Sequence, residues 1–148
     1  MARMHVSAER IIPAPAPDVY ALLADYVVAH PSVLPNTFSN YAVLEGGAGA
    51  CTVIRYRLNL AGRGYDVTAR IAEPEPGHML TETDLATGAV TAFTVTPRNR
   101  ESLLRFDTAW QSRGGIAGTI ERLIAPRLFR SLYREELDRI VEWATTRQ

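Results

Sequence analysis

The sequence predicts an α+β domain: a seven-stranded curved antiparallel sheet, two short helices after the first strand, and a long C-terminal helix across the concave face. Three observations predict it. Between Phe38 and Trp110, apolar and polar residues alternate with period two, between turns rich in Gly, Pro and Asn. From Ile116 to about Thr146 the period changes to that of a helix: Ile116, Ile120, Ile124, Leu128 and Leu132 recur every fourth residue. Short turns between successive strands imply an antiparallel meander, with one face solvated and the other covered. The terminal helix is the one element long enough to cover it.

The elements follow in order. Val6 to Ile12 alternates and reads as a strand, ended by Pro13, Pro15 and Pro17. Pro17 suits a first helical turn, and Asp18 complements the positive helix N-terminus. Val19, Leu22, Leu23 and Tyr26 give this short helix its buried side, and a second runs from Val27 to about Val33, before Leu34-Pro35. Phe38 to Glu45 is a strand closed by the Gly46-Gly47-Ala48-Gly49 turn. Cys51–Leu60 and Gly64–Glu73 form a hairpin about Ala61-Gly62, which sets Leu58 opposite Tyr65, Tyr56 opposite Val67 and Ile54 opposite Ala69. His78–Asp84 and Ala89–Thr96 meet near Thr87-Gly88; a two-residue turn there sets Glu82 opposite Phe93. With Arg98-Asn99 as the next loop, Phe93 faces Leu104 and Thr91 faces Phe106. The last helix spans about 45 Å at its ordinary rise. Leu123 thickens its stripe, Leu137, Ile140, Val141 and Ala144 continue it, and Pro126 is expected to kink or break it. Arg122, Arg127, Arg130 and Arg134, interleaved with Glu121, Glu135, Glu136 and Asp138, read as its solvated face.

Composition narrows the function. The 148 residues are expected to form one domain, 1–148, and nearly half of them are apolar. Net charge is zero, which gives no general attraction to nucleic acid. No lysine is present, which excludes a Schiff-base or P-loop lysine. The single cysteine, Cys51, forms no internal disulfide and no thiolate zinc cluster. The N-terminus lacks the apolar stretch of a signal peptide, and the longest uncharged run, Tyr26 to Leu44, is broken by Pro and Asn, so no stable membrane insertion is expected and the cytoplasm is the default location. His5, His30 and His78 show no ligand spacing, so neither metal nor other cofactor is expected.

The run Ile11-Ile12-Pro13-Ala14-Pro15-Ala16-Pro17-Asp18-Val19-Tyr20-Ala21-Leu22-Leu23-Ala24-Asp25, with the Gly118-to-Trp143 helix, resembles the START-like, or SRPBCC, helix-grip superfamily, including its polyketide cyclase/dehydrase-type members. The resemblance covers essentially the whole chain. It implies a sheet that wraps the C-terminal helix and encloses a largely apolar cavity. Neither stretch carries chemistry, so no catalytic residue is carried over.

The residues themselves supply the site expectations. Tyr56, Tyr65, Phe93, Phe106 and Trp110 form the inward aromatic set, joined by Leu34, Ile120 and Ile124 as lining and by the hydroxyls of Thr52, Thr91 and Thr108. Glu82, if it points inward, has a raised pKa and can act as general acid or base, with Tyr56 or Tyr65 as partner. His30 falls near the mouth, and the segment Val27 to Phe38 reads as a gate. The first functional expectation is a binding protein that carries a hydrophobic small molecule, polyketide-, lipid- or quinone-like, because the inward aromatics suit such a ligand and no catalytic set assembles from spacing. An enzyme that cyclises or dehydrates a polyketide in that cavity is the alternative. A module with a filled cavity and a protein partner is a third.

Overall fold

The computed structural model describes residues 3–112 and 114–147, apart from the side chains of Ala117, Thr119 and Ile120. The elements run β1 (Arg3–Ile12), α1 (Ala16–Ala24), α2 (Ala29–Ser32), β2 (Phe38–Glu45), β3 (Val53–Leu60), β4 (Arg63–Glu75), β5 (Met79–Asp84), β6 (Val90–Arg98), β7 (Glu101–Gln111) and α3 (Gly115–Thr146). The seven strands form one antiparallel sheet in the order β1-β7-β6-β5-β4-β3-β2, so the first strand pairs with the last. Pairing irregularities between Ser39 and Ala42, between Val43 and Glu45, and between Ala72 and Glu75 interrupt the ladders. Such bulges bend and twist a strand, which is how an open sheet curls around a helix. This is the helix-grip architecture that the sequence predicts.

Registers test the alternation closely. The β3–β4 hairpin pairs Leu58 with Tyr65, Tyr56 with Val67 and Ile54 with Ala69, as predicted, with Ala61 at φ 51 and Gly62 at φ 78 in its turn. Two other registers differ by two residues. Phe93 faces Phe106 and Thr91 faces Thr108, because the turn is Asn99-Arg100. Asn99 takes φ 57, a left-handed conformation that Asn tolerates better than Arg. Glu82 faces Thr91, not Phe93, because the loop after β5 runs from Leu85 to Gly88. The Asp84 carboxylate accepts from the Ala86 and Thr87 amides there, which stabilises the longer loop. A shift of two leaves every side chain on its predicted face.

The core lies between the sheet, α1 and the second half of α3. Val19, Leu22 and Leu23 of α1, Ile12 of β1, Leu80, Val95 and Leu104 of the sheet, and Leu137 and Ile140 of α3 are all buried. Each such aliphatic side chain contributes roughly 1.5–3 kcal/mol on burial.

The predicted stripe on α3 needs correction. α3 runs unbroken through Pro126. Leu132 is buried, but Ile124 is 48% exposed and Ile116 is 83% exposed. A strict four-residue repeat rotates about 40° per step, so Ile124 and Ile116 lie about 80° and about 160° round from Leu132. The face that packs inward is Phe129, Leu132, Tyr133, Glu136, Leu137, Ile140 and Ala144, each three or four residues from another member of the set. Glu136, expected on the solvated face, is therefore inside. Among the described residues no helix is long and apolar enough to cross a membrane.

Candidate functional site

The site begins with the chain reversal after α1. Asp25 ends that helix, and its carboxylate accepts the amides of Val27, Val28 and Ala29. The His30 amide donates to the Asp25 carbonyl, and His30 Nδ1 lies 2.7 Å from the Leu23 carbonyl. A carbonyl only accepts, so Nδ1 carries hydrogen and Nε2 is turned toward the sheet. Tyr26, which follows Asp25, is equally fixed: its amide donates to the Gly47 carbonyl, its carbonyl accepts from the Tyr41 hydroxyl, and its ring stacks on His30 at 4.7 Å. The glycine turn predicted between β2 and β3 is thus a structural clamp on the end of α1.

Four polar side chains from three parts of the chain meet here. The Tyr26 hydroxyl donates to Glu82 Oε2 at 2.8 Å. His30 Nε2 lies 4.0 Å from Glu82 Oε2 and 3.5 Å from Glu136 Oε1. The latter is within ion-pair reach but not aligned as a hydrogen bond, so Glu136 Oε1 is buried without a hydrogen-bond partner. Burial pushes the Glu82 carboxyl above its usual range; His30 and the Tyr26 hydroxyl oppose this without cancelling it. Burial alone would lower His30, but Glu136 and Glu82 outweigh it and hold the imidazole above its ordinary value. Burial, with Glu82 adding to it, raises the Tyr26 and Tyr56 hydroxyls well above theirs. A second polar group lies alongside: Thr91 Oγ1 is 2.8 Å from Thr108 Oγ1, which also hydrogen bonds the Tyr133 hydroxyl.

Two small hollows adjoin these groups. One, of about 70 Å³, is lined by His30, Glu82 and Glu136 and walled by Leu34, Phe38 and Phe93. The other, of about 100 Å³, opens over Val67, Ala69 and Ala89. Tyr56, Leu58, Glu82, Thr91 and Phe129 line both. A cavity of about 150 Å³ accommodates one benzene ring, so each hollow by itself falls short of a ring and has room for a few waters.

The predicted site residues divide accordingly. Glu82, Tyr56, Phe93 and Leu34 border the hollows. Phe106 is fully buried and supports the lining, edge-on to Phe93 and Tyr133. Trp110 Nε1 donates to Glu121 and its ring packs on Phe129, beside the hollows rather than in them. Three expectations fail. Tyr65 keeps its predicted face but lies next to the hairpin tip, where it is 43% exposed and cannot serve the buried site. Ile124 is turned outward by the rotation of the stripe. The Thr52 hydroxyl accepts the Gly47 amide and so belongs to the clamp. The Ile120 side chain lies outside the described residues. His30 lies deep inside rather than at a mouth. Tyr26, Tyr133 and Glu136 had no functional role in the sequence prediction. The available signal was Glu136 itself, an acid in the middle of an apolar stripe spaced by three and four. Among the described residues no group of three His, Cys, Asp or Glu side chains is disposed to hold a metal ion.

Comparison with known proteins agrees with this architecture. A family model described as polyketide cyclase / dehydrase and lipid transport matches residues 3–144. The KanY protein, solved in solution by NMR, is 31% identical over 98% of this chain and 99% of its own, with a TM-score of 0.85. The Zhui aromatase/cyclase from Streptomyces sp. R1128 is 18% identical, over 99% of this chain and 96% of its own, with a TM-score of 0.83. A point mutant of Thalictrum flavum norcoclaurine synthase, solved with a transition-state analogue, is 13% identical over 99% and 96%, with a TM-score of 0.77. At these lower identities the likeness is one of fold. No curated protein matches by sequence. The whole-length family match, with the helix-grip sheet and the KanY likeness beside it, shows that this chain belongs to the polyketide cyclase / dehydrase and lipid transport family.

Proposed function

We propose that the chain is an acid–base enzyme that removes water from, or closes a ring in, a small oxygenated apolar substrate held beside Glu82. The observation that carries this reading is the buried set of Glu82, His30 and Glu136 on the wall of a hollow, with the Tyr26 hydroxyl bonded to Glu82. The binding-protein expectation rested on the inward aromatics and on the lack of an assembled catalytic group; the second of these arguments no longer holds. The family description covers cyclase/dehydrase and lipid transport alike, and the fold is one that an aromatase/cyclase also uses, so both are compatible with this choice.

The chemistry follows from proton count. An imidazolium beside two carboxyls is neutral when one carboxyl stays protonated, and a low-dielectric interior favours that neutral arrangement. We assign that proton to Glu82, whose affinity for it burial raises. Because its Oε2 accepts from Tyr26, Oε1 is the oxygen assigned to carry it. In a β-hydroxy ketone the Glu136 carboxylate takes the proton α to the carbonyl. The C–O bond breaks as Glu82 protonates the departing hydroxyl, and the electron pair from the C–H bond becomes the new C=C bond. Water leaves, and His30, between the two carboxyls, returns the proton from Glu136 to Glu82.

The test is dehydration of 4-hydroxy-4-phenylbutan-2-one, followed by the ultraviolet absorbance of the conjugated enone. Glu82→Gln is expected to slow the enzymatic rate by about 10²–10⁴-fold. A wild-type rate equal to buffer, or a Glu82→Gln rate equal to wild type, would overturn the assignment.

A further inference from the structure

The two hollows share a floor but not a roof. Tyr56, Leu58, Glu82 and Thr91, which line both, all belong to the sheet. From α3, Leu132, Tyr133 and Glu136 line the first hollow, whereas Phe129 alone among the described residues of that helix lines both. Its ring leans on Trp110 at 5.3 Å and on Tyr133 at 5.9 Å and is only partly buried. Before it on the helix, Leu123 is 68% exposed and Ile124 is 48% exposed, so burial of those side chains does not pin this part of α3. A ring that borders both hollows is placed to part them.

We propose that Phe129 sets the size of substrate the site accepts: its ring divides the two hollows, and its displacement joins them into one groove from His30 and Glu136 to Val67 and Ala89. The inference rests on the reading of these hollows as the substrate site and adds the substrate's shape. One end of the molecule is a ring carrying a hydroxyl or carbonyl, set against Glu82. The rest extends over Val67, Ala69 and Ala89 toward Asp84 and Thr108, which also line the second hollow. With Phe129 in place, neither hollow, of about 70 and about 100 Å³, reaches the roughly 150 Å³ that holds one ring; with it displaced, the joined space does.

Isothermal titration with phenol, 2-naphthol and 1,2-dihydroxyanthraquinone tests this on wild type, Phe129→Ala and Phe129→Leu. The two variants guard against loss of folding, which circular dichroism monitors. Shortening the ring is expected to tighten binding of the three-ring probe by about tenfold relative to phenol, with Phe129→Leu between Phe129→Ala and wild type. An unchanged order and spacing of the three affinities would overturn the role of Phe129, as would no binding of any probe by any of the three proteins. Loss of the acid–base reading has its own signature, a Glu82→Gln variant with unaltered dehydration rate, and leaves the size preference standing.

Discussion

The Tyr26 hydroxyl donates to Glu82 Oε2 across 2.8 Å, tying the chain reversal after α1 to the middle of β5. The Tyr26 backbone is held by Gly47 and Tyr41, so the donor has no freedom to follow a moving acceptor. Glu82 is thus oriented by a rigid partner before any substrate arrives.

Tyr26→Phe removes this donor and leaves a largely buried carboxyl oxygen without it. The expected loss of stability is about 1–3 kcal/mol, measured by denaturant unfolding. Because the hydroxyl holds the Glu82 pKa down, its removal also shifts the limb of the rate–pH profile governed by Glu82 to higher pH. A variant as stable as wild type, with an unmoved profile, would show that the contact does neither.

Stability should fall as pH rises. Glu82 and His30 both bind protons more tightly in the folded chain than their ordinary values of 4.5 and 6.5 imply. The stability linked to each is fully present below those ordinary values and is lost as pH rises through the elevated folded values. Thermal melts from about pH 4 upward are expected to show a declining Tm, with an added decline above about pH 6.5 from His30. Glu82→Gln keeps an acceptor for Tyr26 but cannot ionise, so it should melt higher than wild type at alkaline pH and show a flatter profile. A wild-type Tm that climbs across this range would contradict the raised proton affinities.

The helix correction predicts opposite outcomes for two similar substitutions. Ile140→Ala, at a fully buried position, is expected to cost about 2–5 kcal/mol. Leu123→Ala, on the exposed side, should stay within about 0.5 kcal/mol of wild type. Equal costs in chemical denaturation would mean that the first half of α3 is buried as well.

Asn99 offers a local test of register. At φ 57, Asn99→Gly should be tolerated, whereas Asn99→Val is expected to cost about 1–2 kcal/mol, because a β-branched residue resists that conformation. Amide exchange across the Arg98–Glu101 pair reports whether the turn is retained.

Much of this molecule is written in local pattern. Period-two alternation gave the strands of the meander and the face each side chain takes, because neighbouring residues of a strand must point to opposite sides. That is why Glu82 points inward although its turn is longer than expected: a two-residue shift preserves parity. The Pro-rich stretch before Asp18 and the helical period after Gly115 marked the helices that frame the sheet. Tertiary structure alone decided which acids meet. His30, Glu82 and Glu136 are brought together by a chain reversal, a strand register and a helix rotation, and no spacing between them in the sequence encodes that encounter. Rotation of α3 was nearly legible, since Phe129, Leu132, Tyr133, Glu136, Leu137, Ile140 and Ala144 follow a helical face with one acid in it. The four-residue isoleucine repeat drew attention to the wrong side, because a helix turns every 3.6 residues and a repeat of four drifts off any fixed face.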